Sequence, residues 1–218
     1  GQETTQHISD PFFMTMIGFL ADELTERGFD LVLTRVSPKK DDWLEKMIAA
    51  DRVDGFIIIG QSDQSAVLDK TAQDYLPMIA WGAHLRGQIH CSVGTDNYGG
   101  GQAATAHLMD RGCRRIAFFG NPQAVEIRQR LDGARAAVSR RRPGAELIET
   151  PTHLAGELTA DDIAHFLEEA GKPPDGIFAA SDLIAITAIQ VLHSRGLTVP
   201  GDVKVVGYDD LPFARNSV

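Results

Sequence analysis

The 218-residue chain is poor in most features that would tie it to a particular chemistry. It has only two cysteines, Cys91 and Cys113, and no Cys-x-x-Cys spacing. A disulfide framework is therefore not expected. Two semi-buried thiols in a reducing cytoplasm are the simpler reading. No apolar run approaches the ~20 residues that cross a bilayer, and no signal peptide opens the chain. Positive charge is in deficit, 21 Lys and Arg against 30 Asp and Glu, a net charge of −9. Such a chain has no basic excess with which to grip phosphate, so a role on nucleic acid would need a basic module carried elsewhere.

Signature loops are missing too. There is no Gly-x-x-x-x-Gly-Lys-Ser/Thr loop, no Gly-x-Ser-x-Gly elbow and no His-Glu-x-x-His pair. The seven histidines are scattered without an i, i+4 pair, so no metal site is expected. No cofactor and no catalytic residue is indicated. Gly99–Gly101 lacks the dinucleotide-binding spacing and reads as close helix packing. Asp209 and Asp210 are neighbours that would point to opposite sides of an extended chain, which is weak ground for acid–base chemistry.

What is present is alternation. Between Gly176 and Asp210 the chain reads strand, helix, strand. Gly176–Ala179 is apolar and is followed by Ser181 and Asp182, the latter expected to cap the next helix. Leu183, Ile186, Ile189 and Val191/Leu192 recur at helical spacing, Gly196 sits at a helix C-cap, Pro200 blocks continuation, and 204–208 is the next strand. Upstream, Asp10 reads as an N-cap with Pro11 in the first turn of a helix striped by Phe13, Met16/Ile17, Leu20 and Leu24. Strands are expected at 31–34, 55–59, 78–81, 93–95, 115–119 and 146–150. Helices fall between them, including 65–74, 97–111, 126–140 and 159–170, and the basic link SRRRPG spans 139–144. No short-period repeat or low-complexity tract is present. This pattern predicts an α/β fold, two doubly wound parallel-sheet lobes, 1–112 and 113–218, with ligands held outside the carboxyl ends of the strands.

Five stretches carry a resemblance: SDPFF at 9–13, RVDGFII at 52–58, VGTDNYGGG at 93–101, RQRLDGA at 128–134, and IFAASDLIAI with VPGDVKVVGYDD toward the end. In order and spacing they resemble the effector-binding core of the lac-repressor (LacI/GalR) family of bacterial transcription regulators. The resemblance implies a type I periplasmic-binding-protein-like core, truncated here at both ends relative to the family. It also implies a small sugar-like or nucleoside effector held between lobes, a homodimer, and operator DNA reached only through a headpiece outside this chain.

It further nominates site residues. Asp10, Phe12 and Phe13 match the cleft-facing start of the first helix, although a cap and two core rings would read the same way. Arg130, in RLDG, matches an effector-contacting arginine, against the alternative of a solvated helix charge such as Arg128. Asp209 matches a carboxylate that meets effector hydroxyls, against a loop-capping role. Ser181 stands where many relatives carry Asn. Trp81, with Gly82, replaces an isoleucine–aspartate pair, either as a stacking platform or as core. Gln61 and Leu154 are weaker matches, the latter to an aromatic position. Helices 11–27 and 182–195 are the expected dimer surfaces. The expectation is thus a ligand sensor rather than an enzyme, with a periplasmic solute-binding protein as the rival.

Overall fold

The computed structural model describes residues 8–36, 40–60, 64–141, 144–154 and 156–216. Its contacts divide the chain into two units, Gly1–Gly94 and Thr95–Val218, not at the expected Gly112.

The first unit opens with α1 (Pro11–Glu26). The Asp10 carboxylate accepts the Phe12 N–H at 2.8 Å and Pro11 occupies the first turn, so the start is set by local chemistry. The expected stripe is the half-buried face of α1. Met14 and Phe19 are exposed, and no α1 residue is fully buried. After α2 (Trp43–Ala49) come β1 (Phe56–Ile59), α3 (Ser65–Thr71), β2 (Met78–Trp81) and β3 (Ser92–Val93). The strands pair in parallel in that order, with Ile57 opposite Ile79 and Trp81 opposite Val93. Leu44, Val67, Leu68, Met78 and Ala80 form a small core, each large side chain contributing roughly 1.5–3 kcal/mol.

The strand expected at 31–34 does not form. Val32 and Leu33 are 66% and 55% exposed, and no described strand pairs with this segment. An apolar run becomes a strand only when a neighbour receives its backbone groups, and periodicity carries no information about that neighbour.

The second unit runs α4 (Asn97–Asp110), β4 (Arg115–Phe119), α5 (Val125–Arg141), β5 (Glu146–Thr150), α6 (Glu157–Glu169), β6 (Gly176–Ala179), α7 (Asp182–Ser194) and β7 (Lys204–Val206), with a 3-10 turn at Ala214–Asn216. Its strands are all parallel in the order β5-β4-β6-β7. β6 and nearly all of β4 are buried, and Phe118 meets Phe178 edge to face at 5.2 Å. Strands covered on both faces show this absence of polar alternation.

The helix ends obey the expected chemistry. At Gly196 (φ +75°), the Leu197 N–H reaches the Leu192 carbonyl and the Gly196 N–H the His193 carbonyl, both at 3.0 Å. Gly112 (φ +92°) closes α4 in the same manner. This pairing satisfies carbonyls the helix itself leaves open, in a conformation that favours glycine.

The early boundary has a physical cause. α4 packs along α5 so closely that a Cβ on Gly101 would lie 2.0 Å from the Arg130 carbonyl oxygen, and one on Gly133 2.1 Å from that of Tyr98. The helix expected to close the first half therefore belongs with the second.

α7 holds another surprise. Its buried face is Ile184, Ala185, Ala188, Val191 and Leu192; of the stripe read from the sequence, Val191 and Leu192 lie on that face, whereas Leu183, Ile186 and Ile189 are half-buried. A helix apolar on nearly every side shows both registers, and only packing selects between them. Of the thiols, Cys91 is exposed and Cys113 buried, so neither is semi-buried. Among the described residues no helix is long and apolar enough to cross a membrane.

Candidate functional site

In the second sheet the chain crosses from β4 to β5 on one side, then returns to β6 on the other. The reversal leaves a switch point at the carboxyl ends of β4 and β6, where open parallel sheets hold ligands. Arg130 of α5 reaches this edge. Its Nε donates to Asn97 Oδ1 at 2.8 Å and its Nη1 to the Ala180 carbonyl oxygen at 2.5 Å, just past β6. The guanidinium carbon lies 3.7 Å from the centre of the Tyr208 ring, and Nη1 stands 3.7 Å from Asp209 Oδ1. Both charged side chains are 12% exposed.

Arg130 is therefore not the solvated helix charge of the alternative reading, which describes exposed Arg128 instead. Burial pulls the Arg130 pKa below its ordinary value, opposed by Asp209, Tyr208 and Glu126. A guanidinium stays protonated regardless, so the site keeps a fixed planar cation. Burial likewise pushes the Tyr208 phenol up, with Arg130 pulling the other way, and it is neutral near pH 7.

The glycine triplet makes this cluster possible. A Cβ on Gly99 would meet the Asp96 carboxylate at 2.3 Å, which caps α4 by accepting the Gly99 N–H at 2.8 Å. A Cβ on Gly100 would meet the Tyr208 hydroxyl at 2.5 Å, and Gly101 rests against the backbone of Arg130. Helix packing accounts for Gly101; the other two glycines make room for a cap and a site ring.

Asp209 (φ +107°) and Asp210 (φ +55°) follow one another in the left-handed region. The strand expected through 208 stops at Val206, so the extended-chain geometry assumed for this pair does not apply. Asp210 pairs with Arg215 at the surface, at 2.7 Å, while Asp209 turns toward Arg130. Ser181 is the N-cap of α7, accepting the Ile184 N–H at 3.3 Å. Asp182, expected to cap that helix, is instead buried with its carboxylate on the Leu211 N–H at 2.7 Å.

In the first unit, the structure gathers Asp10, Phe12, Phe13 and Trp81. Phe12 meets Phe13 edge to face at 5.5 Å and lies 6.3 Å from the Trp81 ring. None of the three rings is fully buried. Leu154 packs against the hydrophobic core of the second unit. Gln61 lies outside the described residues. Among the described residues, no cluster of three His, Cys, Asp or Glu could hold a metal ion.

Sequence reasoning missed three participants, Asn97, Tyr208 and the anchoring role of Asp182. All three sit inside the quoted stretches, directly after strands or at helix starts, so the signal was positional. What was lacking was the knowledge that β4, β6 and β7 converge.

The periplasmic binding protein-like domain matches residues 105–218. The transcriptional regulator CelR of Thermobifida fusca, described as HTH-type, is 34% identical over 217 residues, 96% of this chain and 63% of that protein. The chain belongs to the periplasmic binding protein-like family, among its LacI-type regulators. This LacI-type core is also 27% identical to the ribose operon repressor of Halalkalibacterium halodurans, over 94% of the chain and 61% of that repressor. The solved CelR–cellobiose complex superimposes with a TM-score of 0.77 at 30% identity, covering 96% of this chain and 65% of that one. The chain thus spans about three fifths of the length of these curated relatives. Both are named as regulators or repressors, not as enzymes.

Proposed function

We propose that this LacI-type core senses a saccharide. Candidate effector contacts are Arg130, Ser181 and Asp209 in the second unit and, taken separately, Asp10, Phe12, Phe13 and Trp81 in the first. The observation that carries the reading is the buried Arg130 guanidinium, held over Tyr208 beside Asp209 at the switch point of the second sheet. A planar fork of donors next to a carboxylate suits vicinal hydroxyls, donor and acceptor at once. The aromatic faces of the first unit suit the apolar side of a sugar ring. Regulatory relatives named for cellobiose and ribose point to the same ligand class.

The full-length protein would act in the cytoplasm as a homodimer, through α1 and α7, and would reach operator DNA through a separate headpiece. The acidic composition supports that division of labour, since a net charge of −9 gives no phosphate-gripping face. An effector changes operator affinity only by binding two arrangements of the core unequally, on the usual scale of ~1–3 kcal/mol.

The test is a thermal-shift screen with cellobiose, ribose and a wider saccharide panel, followed by calorimetry. At least one saccharide should raise Tm by mass action. Arg130→Ala should weaken that saccharide by one to two decades, since a hydrogen bond to a charged group contributes about 1.5–3 kcal/mol. A panel that leaves Tm unmoved at millimolar saccharide would refute the reading. Unchanged affinity in the arginine variant would remove Arg130 from the site.

A further inference from the structure

The loop 207–211 contains two consecutive non-glycine residues with positive φ, Asp209 and Asp210. Left-handed backbone is costly for such residues and persists only where the surroundings over-determine it. Here the surroundings converge on one group. The Asp182 carboxylate, in a residue 5% exposed, accepts the Leu211 N–H at 2.7 Å, and the nearby backbone N–H of Tyr208 favours its ionised form. These two amides flank the strained dipeptide. Gly207 completes the fit, because a Cβ there would stand 2.4 Å from Asp182 Oδ1. The same turn aims Asp209 at Arg130 and lays the Tyr208 ring under the guanidinium.

We propose that Asp182 is the positioning residue of the effector site: it clamps both sides of the Asp209–Asp210 turn and so sets the reach of Asp209 and Tyr208 toward Arg130. This rests on the saccharide-sensing reading for its effect on affinity, but the clamp itself does not. Asp182 touches no effector in this scheme and acts through the loop. Its surroundings are mixed in charge: Asp210 opposes its ionisation and Arg130 favours it, while burial pushes its pKa up. Tyr208 and Asp209 in the loop, with Asp96 at the head of α4 acting on Tyr208, complete the charged groups around the clamp.

Two variants test the clamp. Asp182→Asn sets an amide donor against one of two backbone donors, and Gly207→Ala displaces the carboxylate without removing its charge. In amide hydrogen exchange, both should speed exchange at Tyr208 and Leu211 by about ten-fold or more, leaving the strand amides of β4 and β6 unchanged. Titrated with cellobiose and ribose, as above, both should weaken the bound saccharide by about ten-fold. In an Asp209→Ala background, Asp182→Asn should weaken it by less than it does alone, because part of its effect passes through Asp209. A merely stabilising residue would not produce that loss of additivity.

Unchanged exchange at Tyr208 and Leu211 in both variants overturns the proposal. So does a fully additive loss in the double variant. If the wild-type chain binds no saccharide of the panel, the saccharide reading loses its support, and hydrogen exchange alone decides the clamp.

Discussion

Gly101→Ala is the most direct test of how the second unit is built. The substitution adds one methyl group at a buried position of α4, and propensity alone would favour it by up to ~1 kcal/mol. In place, the new Cβ would stand 2.0 Å from the Arg130 carbonyl oxygen, where ordinary contact begins near 3.4 Å. The obstacle is backbone and cannot swing aside, so α4 and α5 must separate by more than 1 Å or tilt. The reciprocal contact, Gly133 on the Tyr98 carbonyl, would open with it. Overpacking costs about 1–3 kcal/mol, and a rigid obstacle takes the upper end. Net of propensity the loss is about 2 kcal/mol, a fall in Tm of roughly 4–8 °C for a chain of this size. The control is Gly18→Ala in α1, where nothing lies within 4 Å of the new Cβ. That change should stabilise by about 0.5–1 kcal/mol. Thermal and urea unfolding, followed by far-ultraviolet circular dichroism, separate the two. If Gly101→Ala is as stable as wild type, or more so, the helix-contact argument is wrong, and so is its account of where the second unit begins.

Two further outcomes follow from the same reasoning. Asp69 Oδ1 accepts the Ile89 N–H at 2.7 Å and the His90 N–H at 3.1 Å, and meets His90 Nδ1 at 2.7 Å. Burial pushes the Asp69 carboxyl up, but these bonds together outweigh it and hold its pKa below the ordinary carboxylate value. A depressed folded pKa stabilises above the unfolded value and is lost as pH falls through the folded one. Asp69→Ala should therefore cost about 1–2 kcal/mol at pH 7 in urea unfolding and much less in acid, once the carboxyl is protonated in both states; equal losses at both would refute the assignment. The cysteines should behave oppositely toward a thiol reagent. Cys91 is exposed, whereas Cys113 is buried, has its thiol pushed up by burial, and donates to the Asp175 carbonyl at 3.2 Å. The native chain should titrate about one fast thiol with a disulfide reagent and two only after unfolding. Fast reaction of both would mean the second core is looser than it looks.

Much of the site was legible before any coordinates because it sits at element boundaries, where residue types carry local instructions. Asp10, Pro11 and Gly196 begin or end helices through bonds spanning a few residues, and such bonds can be read from spacing; the cap of α7 was expected one residue late, at Asp182 rather than Ser181. Arg130 and Asp209 were found through a resemblance, not through physics: nothing local in RLDG or GYDD says that the two side chains meet. Asn97 and Tyr208 were invisible for the same reason, since their partner lies 33 and 78 positions away.

The sequence by itself determined the alternation of helices and strands, the positions of most helix ends and the excess of acidic over basic residues, because these depend on nearest-neighbour chemistry and composition. Tertiary structure alone decided three things: that 31–34 finds no partner among the described strands, that α4 joins the second unit, and that Ile184, Ala185 and Ala188 of α7 are buried rather than Leu183, Ile186 and Ile189. Each is a choice between packings that the local pattern allows equally, and only atoms from distant parts of the chain, such as a carbonyl 2.0 Å from where a methyl would stand, can break the tie.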